Sequence, residues 1–209
     1  MNIAQDVAAG LRHQFLTEVV MQDTLTLWHA DHVNFARLLN LLEDEVQRLH
    51  DGSSPDYELM LDIMYYMTHY PDMLHHRKED IVFGRVRERD TSVASLIDQL
   101  ISQHGHLREI GADMVRGLDD IVNGSITPRE RIESMARSYV SGFRKHMEVE
   151  ETDILPLAAR LLTDRDWAEI DAEIENFEDP LFGSQVKERY AGLREQIARE
   201  VQADREIAR

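Results

Sequence analysis

The chain has no cysteine. That absence removes disulfides, thiolate metal sites, iron–sulfur clusters and cysteine nucleophiles together, and leaves imidazole and carboxylate as the available metal ligands. Glycine and proline are sparse, 10 and 5 among 209 residues, so few positions break regular structure. No run approaches 18 consecutive apolar residues, and Met1 to Gly10 lacks a basic segment followed by an apolar one. No membrane span is therefore expected, and the expected location is cytoplasmic. Basic residues are outnumbered, 23 Lys and Arg against 40 Asp and Glu, for a net charge of −17. Such a chain is repelled by phosphate backbones and anionic lipid surfaces, so neither nucleic acid nor a membrane is an expected partner. What it does have is 43% hydrophobic content, enough for a sizeable core, and 10 histidines.

The apolar residues recur at helical rather than strand spacing, and the expected fold class is all-α. Residues 1–22 show Ile3, Val7, Leu11, Phe15 and Val19 four apart and read as an N-terminal accessory helix. Residues 23–162 read as an up-down-up-down four-helix bundle with short turns. Its first helix, about Asp23 to His50, carries a seam of Leu25, Trp28, His32, Phe35, Leu39, Leu42, Val46 and Leu49. The second, about Asp56 to Arg89, follows Gly52 and Pro55, and its seam runs Leu61, Tyr65, Thr68, Asp72, His75, Glu79, Val82 and Val86, with a kink at Pro71. The third, about Ser92 to Asn123, carries Ile97, Leu100, His104, Leu107, Gly111, Met114 and Leu118. The fourth, about Pro128 to Leu162, carries Ile132, Met135, Tyr139, Phe143, His146, Glu150, Ile154 and Leu157, with a second kink at Pro156. Residues 163–209 read as an extension of two add-on helices, one with Trp167, Ile170, Ile174 and Phe177, the other with Val186, Tyr190, Leu193, Ile197 and Val201. Those stripes require a partner surface, either the bundle or a second copy in a homodimer through the terminal helices.

One pattern occurs twice. His75-His76-Arg77-Lys78-Glu79-Asp80 and His146-Met147-Glu148-Val149-Glu150-Glu151 both read His, three residues, Glu and a second acid. Residues four apart share a helix face, so each copy aims an imidazole and a carboxylate the same way, as a metal pair requires. Short turns make neighbouring helices antiparallel, which places residues equidistant from a turn at one height. His32 lies 21 residues before Ser53 and His75 lies 22 after it; His75 lies 15 before Asp90 and His104 lies 14 after it; His104 and His146 both lie 21 from Ser125. Each seam thus contributes one histidine to a common layer, and Glu79 and Glu150 stand one turn further along. Buried carboxylates without partners would cost several kcal/mol, which a bound cation offsets. Imidazole with carboxylate and no sulfur suits iron, manganese or zinc, and bridging carboxylates on a bundle axis suit a pair of ions. His29, His76, Asp80 and Glu151 are alternative ligands or supporting residues around the six.

These residues, from Asp31-His32 through His75-His76-x-x-Glu79-Asp80 to His146-x-x-x-Glu150-Glu151 and Ile154-Leu155-Pro156, resemble the hemerythrin-like, HHE cation-binding family. The resemblance implies a non-haem di-iron centre, two iron ions per chain with an oxo or hydroxo bridge. In it His32, His75, His104 and His146 are terminal ligands and Glu79 and Glu150 are bridges. It also implies a small ligand, dioxygen, nitric oxide or peroxide, that is bound or reduced in sensing, storage or detoxification. Oxygen carriers of the family use two histidines four apart on the third helix, whereas Leu100 and Arg108 flank His104 at that spacing. The expectation is therefore a vacancy near Arg108 and turnover of peroxide or nitric oxide rather than reversible carriage. The alternatives are iron sensing or handling, and a regulatory bundle with a structural metal.

Overall fold

The computed structural model describes the backbone of residues 3–173 and 178–207 and the side chains of residues 24–173, 178–199 and 202. The described residues are helical, with no strand among them. The elements are α1 (Ile3–His50), α2 (Tyr57–Tyr70), α3 (His76–Arg89), α4 (Ala94–Val122), α5 (Arg129–Val149), α6 (Leu155–Leu161), α7 (Asp164–Glu173) and α8 (Ala191–Ile207). The turn signals act as their chemistry requires. Gly52 and Gly124, just past α1 and α4, take φ of +78° and +86°, the left-handed conformation that closes a helix cheaply only at glycine. Asp56 caps α2 by accepting the Leu59 N–H at 3.0 Å, and its own N–H donates to the buried Glu45 carboxylate at 2.7 Å.

The two prolines expected to kink the bundle each sit beside a π-turn. Pro71–His75 joins α2 to α3, and Glu150–Ile154 joins α5 to α6 with Pro156 in the first turn that follows. Proline has no N–H and its ring clashes with the carbonyl a turn earlier, and a wider turn relieves both problems without ending the helix. The first π-turn also corrects the expected seam of α2. The residues buried before it are Met60, Ile63, Met64, Tyr66 and Met67, one position off the Leu61, Tyr65, Thr68 and Asp72 stripe, while His75, Glu79, Val82 and Val86 after it are buried as expected. A π-turn inserts one residue into the period, so a strict three-four count carried back through Pro71 slips by one.

The long helices pack as a bundle. α4 lies along α2 and α5, α1 along α5 and α2, and α3 against α4 and α6. At the α2–α4 crossing Gly111 faces Thr68 and Tyr139 so closely that an added Cβ would stand 2.5 Å from Thr68 Cγ2. Two apolar clusters fill the interior. One is built from Phe35 to Leu49, Met60 to Met67, Leu107 to Leu118 and Ile132 to Met147; the other from Trp28, Val82 to Val86, Ile97, Leu100 and Ile154 to Leu162. His32, His75, His76, Glu79, His104, His146 and Glu150 are buried where the two clusters meet.

Two expected boundaries differ. The N-terminal segment is not a separate helix, since α1 runs unbroken from Ile3 to His50; the side chains of its early stripe lie outside the described residues. In the extension, Val186 belongs to the segment preceding the 3-10 turn Glu188–Tyr190 rather than to α8, and Ile174, Phe177 and the Val201 side chain lie outside the described residues. The extension docks on its own chain. Trp167 and Ile170 of α7 join the second cluster, and Leu181, Tyr190, Leu193 and Ile197 join the first. Thr163 and Asp166 form a reciprocal cap at the start of α7, with the Thr163 N–H donating to Asp166 at 2.8 Å and the Asp166 N–H to the Thr163 hydroxyl at 3.3 Å. No helix among the described residues is long and apolar enough to cross a membrane.

Candidate metal centre

Four strands of sequence converge on one buried layer. α1 presents His32, the first π-turn His75, α3 His76 and Glu79, α4 His104, α5 His146, and the second π-turn Glu150. All seven side chains are at most 5% exposed. They form two overlapping donor groups, His32, His75 and Glu79 on one side and His76, Glu79, His104 and His146 on the other, with the donor atoms of each group within 4.8 Å of one another. Glu79 is common to both. Glu150 spans the same divide, with one oxygen 3.4 Å from His32 Nε2 and the other 3.0 Å from His146 Nε2.

The orientation of each ring is set from outside. Nδ1 of His32 is 2.8 Å from Glu151, that of His75 is 3.0 Å from Asp31, that of His76 is 3.0 Å from Asp72, that of His104 is 3.0 Å from Asp80, and that of His146 is 2.9 Å from the Gln103 amide oxygen. An acceptor at Nδ1 fixes the proton there and turns the Nε2 lone pair inward, as in carboxylate–histidine–metal arrangements. Four of the five acceptors stand beside an inward-facing residue in sequence yet serve a histidine on another helix. Neighbouring residues differ by about 100° around a helix, so the neighbour of an inward residue points into the groove between helices.

Inside the layer the polar atoms lack partners. Nε2 of His32, His75 and His76 and both oxygens of Glu79 and Glu150 are buried without a hydrogen bond. His75 Nε2 approaches Glu79 Oε1 to 2.7 Å without hydrogen-bond geometry, as two lone pairs aimed at one point do. Seven orphaned atoms in one pocket would cost far more than a fold of ordinary stability tolerates, unless a shared positive charge meets them. The donor set fits divalent or trivalent transition ions held by imidazole and carboxylate.

Without a metal the positive charge comes from protons. Burial pushes His104 down, but its hydrogen bond to Asp80 and the Glu150 and Glu79 carboxylates outweigh it and carry it up to about 11. Burial likewise opposes His75, which the Glu79 charge and Asp31 carry up to about 10. Burial pushes Glu79 up, yet the His75 charge and the facing imidazoles of His104, His32 and His75 hold it well below the usual carboxylate range. His104 and His146 approach Nε2 to Nε2 at 3.0 Å, one donating to the other. An ion bound here replaces protons rather than filling a neutral void.

The structure brings together all six residues of the expected layer, His32, His75, Glu79, His104, His146 and Glu150, and adds a seventh. His76 is inside the pocket, its ring stacked on His104 with centroids 4.2 Å apart and planes 10° apart. It stands where the sequence pattern left a vacancy beside His104. Arg108 does not: it is exposed, and its Nε lies 3.5 Å from Asp72. Asp80 and Glu151 hold histidines rather than facing the pocket, and His29 is at the surface with Nδ1 2.9 Å from Glu151. Tyr139 is buried and donates to the Met67 carbonyl at 3.4 Å; Tyr65 is stacked with His69 under Arg189, away from the layer. Asp31, Asp72 and Gln103 were not singled out as supports by sequence, although two of them adjoin layer histidines and Asp72 lies one turn before His76. The pocket walls are aromatic: Phe35 meets His75 edge-on at 4.9 Å, Phe83 stacks near His104 at 6.0 Å, and Phe143 borders His76 and His146.

A family model described as the hemerythrin HHE cation binding domain matches residues 23–158. No curated protein matches the chain.

Proposed function

The chain belongs to the hemerythrin HHE cation-binding domain family, and from that premise we propose that it is a non-haem di-iron protein that binds or reduces dioxygen, nitric oxide or peroxide. The observation that carries this reading is the convergence of seven buried donors in two groups that share Glu79, each imidazole held at Nδ1 from outside. His32 and His75 would hold one ion and His76, His104 and His146 the other, with Glu79 and Glu150 common to both. We read the bundle that supports them as the up-down-up-down arrangement of α1, α2 with α3, α4, and α5 with α6. When bound, two iron ions supply paired one-electron steps and coordination positions for a small ligand.

The chain's own residues set the conditions. Five imidazoles and two bridging carboxylates offer at most about nine bonds, against about twelve for two six-coordinate ions, so positions remain for solvent or a small ligand. The fifth imidazole, His76, gives the His104 side three nitrogens and leaves the His32 side two, which directs an incoming ligand to the His32 side. Phe35 and Trp28, edge-on to His75 at 4.9 and 5.9 Å, line that side with apolar surface that admits a diatomic molecule and excludes bulk water.

Elemental analysis and absorption spectroscopy of protein loaded aerobically with iron test the reading. About two iron ions per chain and a near-ultraviolet charge-transfer band are expected. A reproducible single zinc ion per chain, with no such band after iron loading, would sink it. Stopped-flow mixing of the reduced protein with each small ligand then separates turnover from reversible carriage.

A further inference from the structure

A second set of aromatic groups leads away from the pocket and has no part in holding ions. Tyr70 ends α2 just before the first π-turn, where its phenol feels the charge of Asp31, the residue that accepts from His75 Nδ1 at 3.0 Å, and its ring meets Phe35 edge-on at 6.3 Å, which in turn meets His75 at 4.9 Å. Tyr66, one turn earlier, stacks on Tyr70 with ring centroids 5.4 Å apart and planes 19° apart. On its far side the Tyr66 hydroxyl donates to Asp179 Oδ2 at 2.8 Å, and its ring meets that of Tyr190 edge-on at 5.7 Å. Asp179 is half-buried at the start of the segment that leads to α8. A continuous series of contacts thus joins a histidine of the metal layer to the outer part of the fold.

Phenols give up single electrons readily, and oxidation makes the hydroxyl strongly acidic, so the proton must leave with the electron. The identity of the hydrogen-bond acceptor therefore separates a structural tyrosine from a redox-active one. Tyr139 is as buried as Tyr66 but donates to a backbone carbonyl, a base too weak to take its proton. Tyr66 donates to a carboxylate. Burial and the Asp179 charge push the Tyr66 phenol far up, so it stays neutral until oxidised, and burial raises Asp179, which makes it a stronger base than a solvated carboxylate.

We propose that Tyr66, with Asp179 as its proton acceptor and Tyr70 as the link to the pocket, is a one-electron relay between the metal layer and the molecular surface. The role rests on the di-iron reading. In the transfer an electron leaves the Tyr66 ring by way of Tyr70 toward the pocket, while the phenolic proton moves to Asp179 Oδ2. A neutral phenoxyl radical and a protonated carboxyl remain. A small external one-electron donor such as ascorbate, approaching at the half-buried Asp179, returns the electron, and the proton goes back to the Tyr66 oxygen. Two such cycles deliver the two electrons with which a peroxide, taking two protons from solvent, becomes two water molecules.

The metal-free full chain is oxidised by photoexcited ruthenium tris(bipyridine) with persulfate and freeze-trapped for electron paramagnetic resonance. A neutral tyrosyl radical is expected, its formation slowed in deuterated solvent. Tyr66→Phe abolishes that spectrum, Asp179→Asn removes the isotope effect, and Tyr57→Phe changes nothing. An unchanged spectrum in Tyr66→Phe overturns the relay whatever metal the protein binds. In the second arm the oxidised iron-loaded protein is reduced by ascorbate, with metal content measured for each variant. Rates at least about ten-fold lower in Tyr66→Phe and Asp179→Asn at equal iron content are expected, and equal rates at equal iron content overturn the relay. A wild-type chain without iron counts against the di-iron reading alone, and the radical experiment then decides the relay. Asp179→Asn keeps an acceptor oxygen for Tyr66, so it serves as the folded variant should Tyr66→Phe unfold.

Discussion

The two His-x-x-x-Glu copies share a pattern but not a geometry. In the first, the π-turn Pro71–His75 ends on the histidine of the pair; in the second, the π-turn starts at Glu150 and follows the histidine. Ending on the histidine, the wider turn lets the adjacent His75 and His76 both reach the pocket, one on each side of Glu79. Behind it, Lys145 and Met147 flank a single inward imidazole, that of His146, and Glu151 turns back to His32. The same motif therefore delivers two nitrogens and a shared carboxylate on one side of the bundle, and one nitrogen and a carboxylate on the other. What differs is where a proline-adjacent turn falls relative to the histidine.

The sharpest way to break this asymmetry is at the carboxylates. Glu79→Ala removes the oxygen atoms common to both donor groups, and metal content is expected to fall from about two ions per chain to well below about one. Glu150→Ala is expected to act in the same direction, and Glu109→Ala, exposed on α4, to leave the content unchanged. Full metal content with an unaltered spectrum in Glu79→Ala would refute the shared role assigned to it.

Next in size are the imidazole that only the first copy adds and the supports around it. His76→Ala is expected to weaken one ion selectively, giving two-phase release to a competing chelator where the wild-type chain gives one. Asp72→Asn, Asp80→Asn and Glu151→Gln leave the donors in place but release the rings of His76, His104 and His32, and each is expected to cost about 10–100-fold in metal affinity. A chelator titration that ranks Glu151→Gln as more damaging than Glu150→Ala would reverse the assignment of inner and outer residues.

A smaller effect follows from the protons that the metal-free pocket holds. With His104 carried up to about 11 and His75 to about 10, both are charged at neutral pH, and loading is expected to release about two protons per chain, measurable in weakly buffered solution. Because these folded-state values lie above that of an unfolded histidine, about 6.5, their contribution to metal-free stability is complete below that value. It is lost as pH rises through about 10 to 11. Thermal unfolding of the metal-free chain should therefore shift downward across that alkaline range, and metal-loaded protein should show no such shift. The smallest effect lies outside both copies. Thr163→Ala removes half of the α7 cap at a cost of about 1 kcal/mol, which lowers Tm by about 2–4 °C without altering metal content.

Much of this protein was legible in its residues, for identifiable reasons. Turn residues at Gly52 and at Asn123-Gly124 mark where helices stop, because only glycine takes a positive φ cheaply. With the turns located, antiparallel counting is enough to bring His32, His75, His104 and His146 to one height, since helical rise is constant. Glu79 and Glu150 follow from the four-residue spacing. Those six need no knowledge of packing beyond the period of a helix.

Only the tertiary structure decided the rest. Whether Pro71 breaks, bends or widens its helix depends on what packs against α2 and α3, and no local preference selects the π-turn that shifts the stripe from Leu61 and Tyr65 to Met60 and Met64 and turns His76 inward. The same holds for the acceptors. Asp80, Glu151, Asp31 and Gln103 each adjoin a layer residue and point into a groove between helices, and a sequence does not state which neighbour closes that groove. Helical periodicity is a property of one chain segment, so sequence alone determined the faces of α1, α4 and α5, where no wider turn interrupts the count. Partnership between faces is a property of two segments, so it was decided when they packed.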